Sequence, residues 1–283
     1  REVMSPHETI SDPQLLALAD RILADTGFDI RQYKERPLKR RLAVRLRARK
    51  AATYLEYLDV LRQDQAEYAK LWDALTINVT SFYRNPETYA AVQEKVFPVL
   101  AAEAGAGGLL FWSAGCSSGE EPYSLAILWQ EYCLRHPTKL TARVVATDID
   151  AESLRKAQAG LYTHTSFHEI PADLWGKYFT PEGESFRIDP AIQAMVQFQR
   201  AELMEPAPFR GVDLVCCRNA LIYFSRDAQQ VVFDHFVASM RQGGFLVLGK
   251  VETLLGQSKA RFANFEIKER IYRLHATQAG NGV

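Results

Sequence analysis

The chain has few cysteines, no net charge and no long apolar run, and each lack removes a class of function. Its 283 residues hold four cysteines, Cys116, Cys133, Cys216 and Cys217, with no CxxC pair among them. Disulfide frameworks and metal sites space their cysteines differently. The thiols therefore read as reduced small hydrophobes in a cytoplasmic protein, and no metal is expected. Basic and acidic residues number 34 each, so the formal charge is zero, which gives the molecule no general attraction to nucleic acid. No run of about 18 apolar residues occurs, so neither a helical membrane span nor membrane insertion is expected. The first twenty residues are too polar for a signal peptide. Internal repeats and low-complexity tracts are absent.

The zero charge conceals an asymmetry. From Lys34 to Lys50 there are nine basic residues and one acid, Glu35, a local charge of +8. A basic block on a mildly acidic body points to a local anionic partner.

Ser11-Asp12-Pro13 is a helix start and Gly27 a stop. A second helix follows Pro37, with Leu38, Leu42 and Leu46 as its apolar stripe. Further helix is expected from Thr53 to about Ile77. Residues 1–77 thus read as an all-helical domain. Residues 78–104 read as a linker and connecting helix, the helix running from about Pro86 to Ala104. Residues 105–276 alternate strand and helix, which implies a mostly parallel sheet with an antiparallel pair at its end. Within it, residues 160–200 carry turn signals and short β-prone pieces around Tyr178, Phe186 and Val196, and read as an inserted β-subdomain. Residues 277–283 read as a flexible tail.

The most informative stretch is Leu109-Leu-Phe-Trp-Ser-Ala-Gly115-Cys-Ser-Ser-Gly119-Glu120-Glu121-Pro122-Tyr-Ser124. It reads as a buried strand, a small-residue turn and a helix opened by acids and proline, the first unit of a nucleotide-binding α/β sheet. Its glycines let a ligand approach the backbone. Glu120 and Glu121 would repel a phosphate but not a ribose or a cation, which suits S-adenosylmethionine better than a dinucleotide. On this loop alone two other readings stand, the nucleophile elbow of a serine hydrolase centred on Ser117 and a plain tight turn. Two more strand ends carry polar side chains: Asp148, with Asp150 as the better helix cap, and Cys217-Arg218-Asn219, followed by Tyr223. Only helices precede the glycine loop and no later histidine has a triad setting, which weakens the hydrolase reading.

Four segments, Asn78-Val-Thr80-Ser-Phe-Tyr-Arg84, Ser113 to Ser124, Thr147-Asp148-Ile-Asp150 and Cys217-Arg218-Asn219-Ala-Leu-Ile-Tyr223-Phe224, together resemble the CheR family, bacterial chemoreceptor glutamate methyltransferases. The resemblance covers nearly the whole chain. It implies a Rossmann-like class I S-adenosylmethionine-dependent methyltransferase sheet, with S-adenosylmethionine as donor and S-adenosylhomocysteine as product. The acceptor it implies is a glutamate on a chemoreceptor's cytoplasmic helices. It assigns Asn78, Thr80 and Arg84 to the segment closing over the cofactor, and Gly115 to the cofactor loop. Glu120 and Asp148 become acidic ligands, Glu202 and Leu203 lie along the adenine, and Arg218 and Asn219 are strand-end ligands. Tyr223 stands beside the methyl group, so Arg84 and Tyr223 are the candidate catalytic residues. Lys39, Arg40, Arg41, Arg45 and Arg47 would dock a glutamate-rich receptor helix. In some family members the β-subdomain binds a receptor tail peptide, and the chain is expected to be a monomer. Where the family often has Gly-His-Ser-Glu, this chain has Gly249-Lys250-Val251-Glu252, and Glu202 replaces a frequent asparagine. A cofactor-binding adaptor without turnover and a nucleic-acid methyltransferase remain as alternatives. The latter lacks the Asn/Asp-Pro-Pro-aromatic run of amino-directed DNA enzymes.

Overall fold

A computed structural model describes residues 10–75, 80–105 and 107–276. Asn78 and the expected tail lie outside the described residues. The chain divides into two units. One holds the N-terminal helices and Tyr223–Gln229, and the other holds the remainder.

In the helical unit, α1 spans Pro13–Thr26. The Asp12 carboxylate accepts the Gln14 and Leu15 N–H groups, and Gly27 closes the helix in a left-handed conformation, φ 78°. α2 spans Glu35–Ala48, with Pro37 in its first turn and Leu38 and Leu42 buried. The helix expected from Thr53 to Ile77 is two, α3 (Tyr54–Gln63) and α4 (Glu67–Leu75). The break falls at Asp64, whose side chain takes the Ala66 N–H at 3.1 Å, an alternative to continuing the helix. The chain returns at Tyr223. Lys34 N donates to the Tyr223 carbonyl at 2.9 Å, Ser225 N to that of Gln32 at 2.8 Å, and the Tyr33 and Phe224 rings lie 5.2 Å apart.

The larger unit opens with α5 (Pro86–Ala91), a wide turn over Val92–Val96 and α6 (Phe97–Glu103). One continuous helix is expected here. Pro98 has no N–H for the ladder, and Phe97 N reaches five residues back to the Val92 carbonyl. Then come β1 (Leu109–Ala114), α7 (Glu120–Arg135), β2 (Ala142–Asp148) and α8 (Ala151–Ala159). The insertion holds β3 (Leu161–Tyr162), α9 (Ala172–Tyr178), β4 (Phe179–Glu182) and β5 (Ser185–Ile188). After it follow α10 (Pro190–Ala194), β6 (Val196–Arg200), β7 (Val212–Cys217), α11 (Arg226–Ser239), β8 (Met240–Leu248), β9 (Phe262–Glu266) and β10 (Ile271–Leu274).

The main sheet runs β6-β2-β1-β7-β8-β10-β9. Its first five strands are parallel, and β10 is antiparallel to both neighbours. Every residue of β1 and β7 is buried, as expected of central strands covered on both faces. Phe111, Val144, Leu214 and Phe245 from four strands share one core with Tyr123 and Trp129 of α7. One expectation is corrected. Val196–Arg200, grouped by sequence with the β-subdomain, pairs in parallel with β2. Among the described residues only β3, β5 and β4 form the small antiparallel sheet. Val-Gln-Phe-Gln-Arg alternates apolar and polar, which serves an edge strand of either sheet, so its pattern alone does not assign it.

Candidate active site

The site is built at the carboxyl ends of the parallel strands, where ligands of open α/β sheets bind. Gly115 N and Cys116 N both donate to the Thr147 carbonyl, at 2.8 and 2.9 Å, so the glycine loop is pinned to β2. Ser117, at φ 49°, donates its N–H to Asp148 Oδ2 at 2.7 Å, and Asp148 Oδ1 accepts Asp150 N at 2.9 Å. Asp150, not Asp148, caps α8, taking Glu152 N at 2.9 Å and Ser153 Oγ at 2.8 Å. Burial pushes the Asp148 carboxyl above its ordinary range, partly offset by these N–H donors. Gly119 must be glycine. At φ 94° its absent Cβ would sit 2.8 Å from Ala157 Cβ and 2.9 Å from the Tyr162 hydroxyl.

Glu120 is buried and accepts from Ser118 Oγ at 2.7 Å and Ser166 Oγ at 3.1 Å. Burial raises its pKa. Glu121 accepts from Ser113 Oγ at 2.7 Å. Burial raises its pKa too, while the positive charges of Arg218 and Arg84 act against the rise. Glu121, which the sequence marks with Glu120 as an acid of the cofactor loop, therefore lies in the field of two candidate ligands.

The segment carrying Thr80 and Arg84 is fastened at several points. Phe82 is fully buried, with its ring 4.8 Å from Tyr162 and 5.2 Å from Phe167. Phe82 N donates to the Ser166 carbonyl at 2.9 Å and Tyr83 N to Ser124 Oγ at 3.0 Å. Glu169 accepts from Ser81 Oγ at 2.9 Å and Asn85 N at 2.7 Å. Tyr83 and Asn85 both take positive φ, 56° and 58°. Arg84 is thus presented from a strained, tightly tied turn. Thr80 is half-buried at its start.

Arg218 is buried, donates to Asn85 Oδ1 at 2.8 Å and lies over the Tyr89 ring at 5.4 Å. Burial works against its charge, but Tyr89 and Glu121 more than offset that and its pKa is raised. Asn219 turns at φ 62°. Leu203 lies beside the glycine loop, its Cδ1 4.0 Å from where a Gly115 Cβ would stand, and its carbonyl meets His235 Nδ1 at 3.2 Å. Ala201 N donates to the Asp148 carbonyl at 3.1 Å, which brings Glu202 and Leu203 back toward β2. The fit to S-adenosylmethionine rests on atoms left over. Ser117 Oγ, Arg218 Nε and Asn219 Oδ1 are buried without a hydrogen-bond partner among the described residues. Buried polar atoms ordinarily have partners, so this donor and acceptor set suits a polar ligand bearing hydroxyl, amino and carboxylate groups. Among the described residues no group of three or more His, Cys, Asp or Glu side chains could hold a metal.

In the helical unit the expected docking set divides. Arg41 is buried, its guanidinium 4.0 Å over the Tyr223 ring, and it donates to the Leu75 carbonyl. Burial lowers its pKa. Arg45 is committed to Glu67, donating through Nε at 2.8 Å and a terminal nitrogen at 2.7 Å. Neither is a free docking cation, because both stems flank the Leu38–Leu42 stripe and follow it into the core. Lys39 pairs with Glu35 at 2.5 Å, whereas Arg40 and Arg47 are exposed.

Comparison with known proteins agrees with this architecture. Residues 78–271 match the family described as CheR methyltransferase, SAM binding domain, and residues 13–76 match the CheR methyltransferase all-alpha domain. A chemotaxis protein methyltransferase of Listeria monocytogenes is 34% identical over 232 residues, 82% of this chain and 86% of that protein. One from Borreliella burgdorferi is 27% identical over 261 residues, 89% and 92% of the two chains. An uncharacterized 104.1 kDa protein of Rhodobacter capsulatus is 35% identical over 242 residues. That match takes in 85% of this chain but spans 25% of the larger protein.

Proposed function

The chain belongs to the CheR methyltransferase family, and from that premise we propose that it methylates glutamate side chains on the cytoplasmic helices of a chemoreceptor, forming glutamyl methyl esters that adapt signalling. The observation that carries the acidic acceptor is on α2. The helix that stacks Arg41 on Tyr223 also presents Arg40 and Arg47 to solvent. The same helix thus carries both the exposed cations and the contact to Tyr223, the tyrosine that the family resemblance sets beside the methyl group.

S-adenosylmethionine, when bound, supplies a sulfonium methyl that a carboxylate oxygen can accept. The acceptor needs no general base, since a glutamate side chain in water titrates at about pH 4.3 and is already ionised at neutral pH. The protein's task is desolvation and aim. Thr80, Gly115, Glu120, Asp148, Glu202, Leu203, Arg218 and Asn219 are the proposed cofactor residues, with Asn78 outside the described residues. Arg84, fixed by the tied turn, would hold charge at the site, and the Tyr223 hydroxyl would orient the acceptor. The small sheet leaves β3 and β4 as edges, to which an extended receptor tail would add a strand.

The test is transfer of radiolabelled methyl to a receptor cytoplasmic fragment, read as base-labile methanol. Arg84→Ala and Tyr223→Phe are each expected to lower kcat on the order of 10- to 100-fold. Unchanged turnover in either variant removes that residue from the mechanism. A wild type that binds S-adenosylhomocysteine yet never methylates any receptor fragment would make it an adaptor.

Docking through Arg40 and Arg47 has its own signature. Charge reversal at either is expected to raise the receptor KM about tenfold at low salt, with S-adenosylhomocysteine affinity unchanged. The wild-type KM should climb with ionic strength. A KM indifferent to salt and to both reversals would place the receptor elsewhere.

A further inference from the structure

We propose that Glu252 is the positioning residue that fixes Asn219 and the turn after β7 for cofactor binding. The proposal rests on the reading of Asn219 as a cofactor ligand. The sequence marks Glu252 only as the last residue of a tetrapeptide that departs from the family pattern. The structure gives it a specific task. β7 ends at Cys217, and the chain must then turn sharply, with Asn219 in the left-handed region at φ 62°. Asparagine tolerates that conformation better than most non-glycine residues, but still at a cost that its surroundings must offset.

Glu252 supplies the offset. Its buried carboxylate takes four backbone N–H groups. Oε2 accepts from Asn219 at 2.8 Å and Gly249 at 2.7 Å, and Oε1 from Leu221 at 2.8 Å and Ile222 at 3.2 Å. A carboxylate in such a nest ties the loops after β7 and β8 into one unit. Burial pushes its pKa up, and the four donors act against that rise. The fit leaves no slack. A Cβ on Gly249 would stand 2.7 Å from Glu252 Oε2, 2.9 Å from Asn219 N and 3.0 Å from Asn219 Nδ2. The Asn219 carboxamide is therefore confined on its nitrogen side, while its buried Oδ1 has no partner among the described residues. The next residue, Ala220, meets the glycine loop, its Cβ 3.2 Å from where a Gly115 Cβ would be. A rotation of this turn would displace that acceptor atom, Asn219 Oδ1.

Glutamine cannot substitute. It offers one acceptor oxygen and would set an amide NH2 against two N–H donors. Glu252→Gln is expected to weaken S-adenosylhomocysteine binding about tenfold. The decisive experiment is a calorimetric double-mutant cycle with S-adenosylhomocysteine over wild type, Glu252→Gln, Asn219→Ala and the double variant. If Glu252 acts through Asn219, the double variant binds no worse than Asn219→Ala alone, to within about twofold. A merely structural role would lower the melting temperature but leave the two losses in affinity additive. Additive losses overturn the proposal while leaving Asn219 a ligand. Failure of wild type to bind removes the ligand reading and this inference with it. Should Glu252→Gln not fold, amide hydrogen exchange of the wild type decides. Slow exchange at residues 219, 221, 222 and 249 supports the clamp, and exchange at the rate of exposed loops overturns it.

Discussion

Asp148→Ala is expected to weaken S-adenosylhomocysteine binding about 100-fold or more, measured by calorimetric titration of folded protein. The Asp148 carboxylate accepts two N–H groups, from Ser117 at 2.7 Å and Asp150 at 2.9 Å. Hydrogen bonds to a charged group are each worth about 1.5–3 kcal/mol, and about 2.7 kcal/mol is a factor of 100. Alanine would release Ser117 from its left-handed conformation and remove the acid proposed to grip the ribose. Unaltered affinity in this variant would end that role. The raised pKa adds a pH dependence. Because burial lifts the Asp148 carboxyl above 3.8, it takes up its proton at a higher pH than an exposed aspartate. Protonation spoils one acceptor oxygen, so affinity falls on acidification, beginning above pH 3.8. The stability share runs the other way. A carboxyl whose folded pKa is raised contributes most below its unfolded pKa, and that contribution is lost as pH rises through the folded value. Wild type should therefore show the acid loss of affinity, and Asp148→Ala should show less of it, the remainder coming from Glu120, whose pKa burial also raises.

Sequence makes the main sheet legible because its signals are local. β1 and β7 are buried on both faces, so their apolar runs stand out. α1 is bounded by a capping aspartate and a glycine stop. The glycine loop shows itself because backbone approach demands small residues. Partners far apart in the chain are what sequence conceals. Arg41 and Arg45 look like the rest of a basic helix face until Tyr223 and Glu67 are found against them. Glu252 stands 33 residues from the Asn219 N–H that it holds, and no local pattern reports a carboxylate collecting backbone donors. β6 escapes correct assignment because an alternating five-residue strand carries no information about which sheet it joins. The candidate ligands at strand ends are visible as residue types. The supports that aim them, Glu169 for the Arg84 turn and Glu252 for Asn219, are not.

Glu67→Ala is the substitution expected to cost the helical unit most, about 3–5 kcal/mol, as for breaking other buried ion pairs. Glu67 is fully buried at the start of α4, where a negative charge also suits the helix dipole. It joins three helices. Arg45 of α2 donates to it twice, at 2.8 and 2.7 Å, the Tyr57 hydroxyl of α3 donates at 2.9 Å, and Arg49 lies at 3.3 Å. Burial and this carboxylate together push the Tyr57 phenol far up, so it stays a donor at any working pH. Alanine would leave the Tyr57 hydroxyl buried without its acceptor, and would leave Arg45, with 15% side-chain exposure, facing an apolar gap. Glu67→Gln keeps one acceptor oxygen and should lose less. The check is urea unfolding of both variants, followed by a signal from the helical unit. A midpoint for Glu67→Ala equal to wild type would mean that the two charges gain nothing over solvation. The same network bears on the docking surface proposed for an acidic acceptor. Arg45 is neutralised from within, so the cationic face available to a glutamate-rich helix is narrower than the charge count from Lys34 to Lys50 suggests. It rests on residues such as Arg40 and Arg47, which stay exposed because, among the described residues, no buried acid claims them.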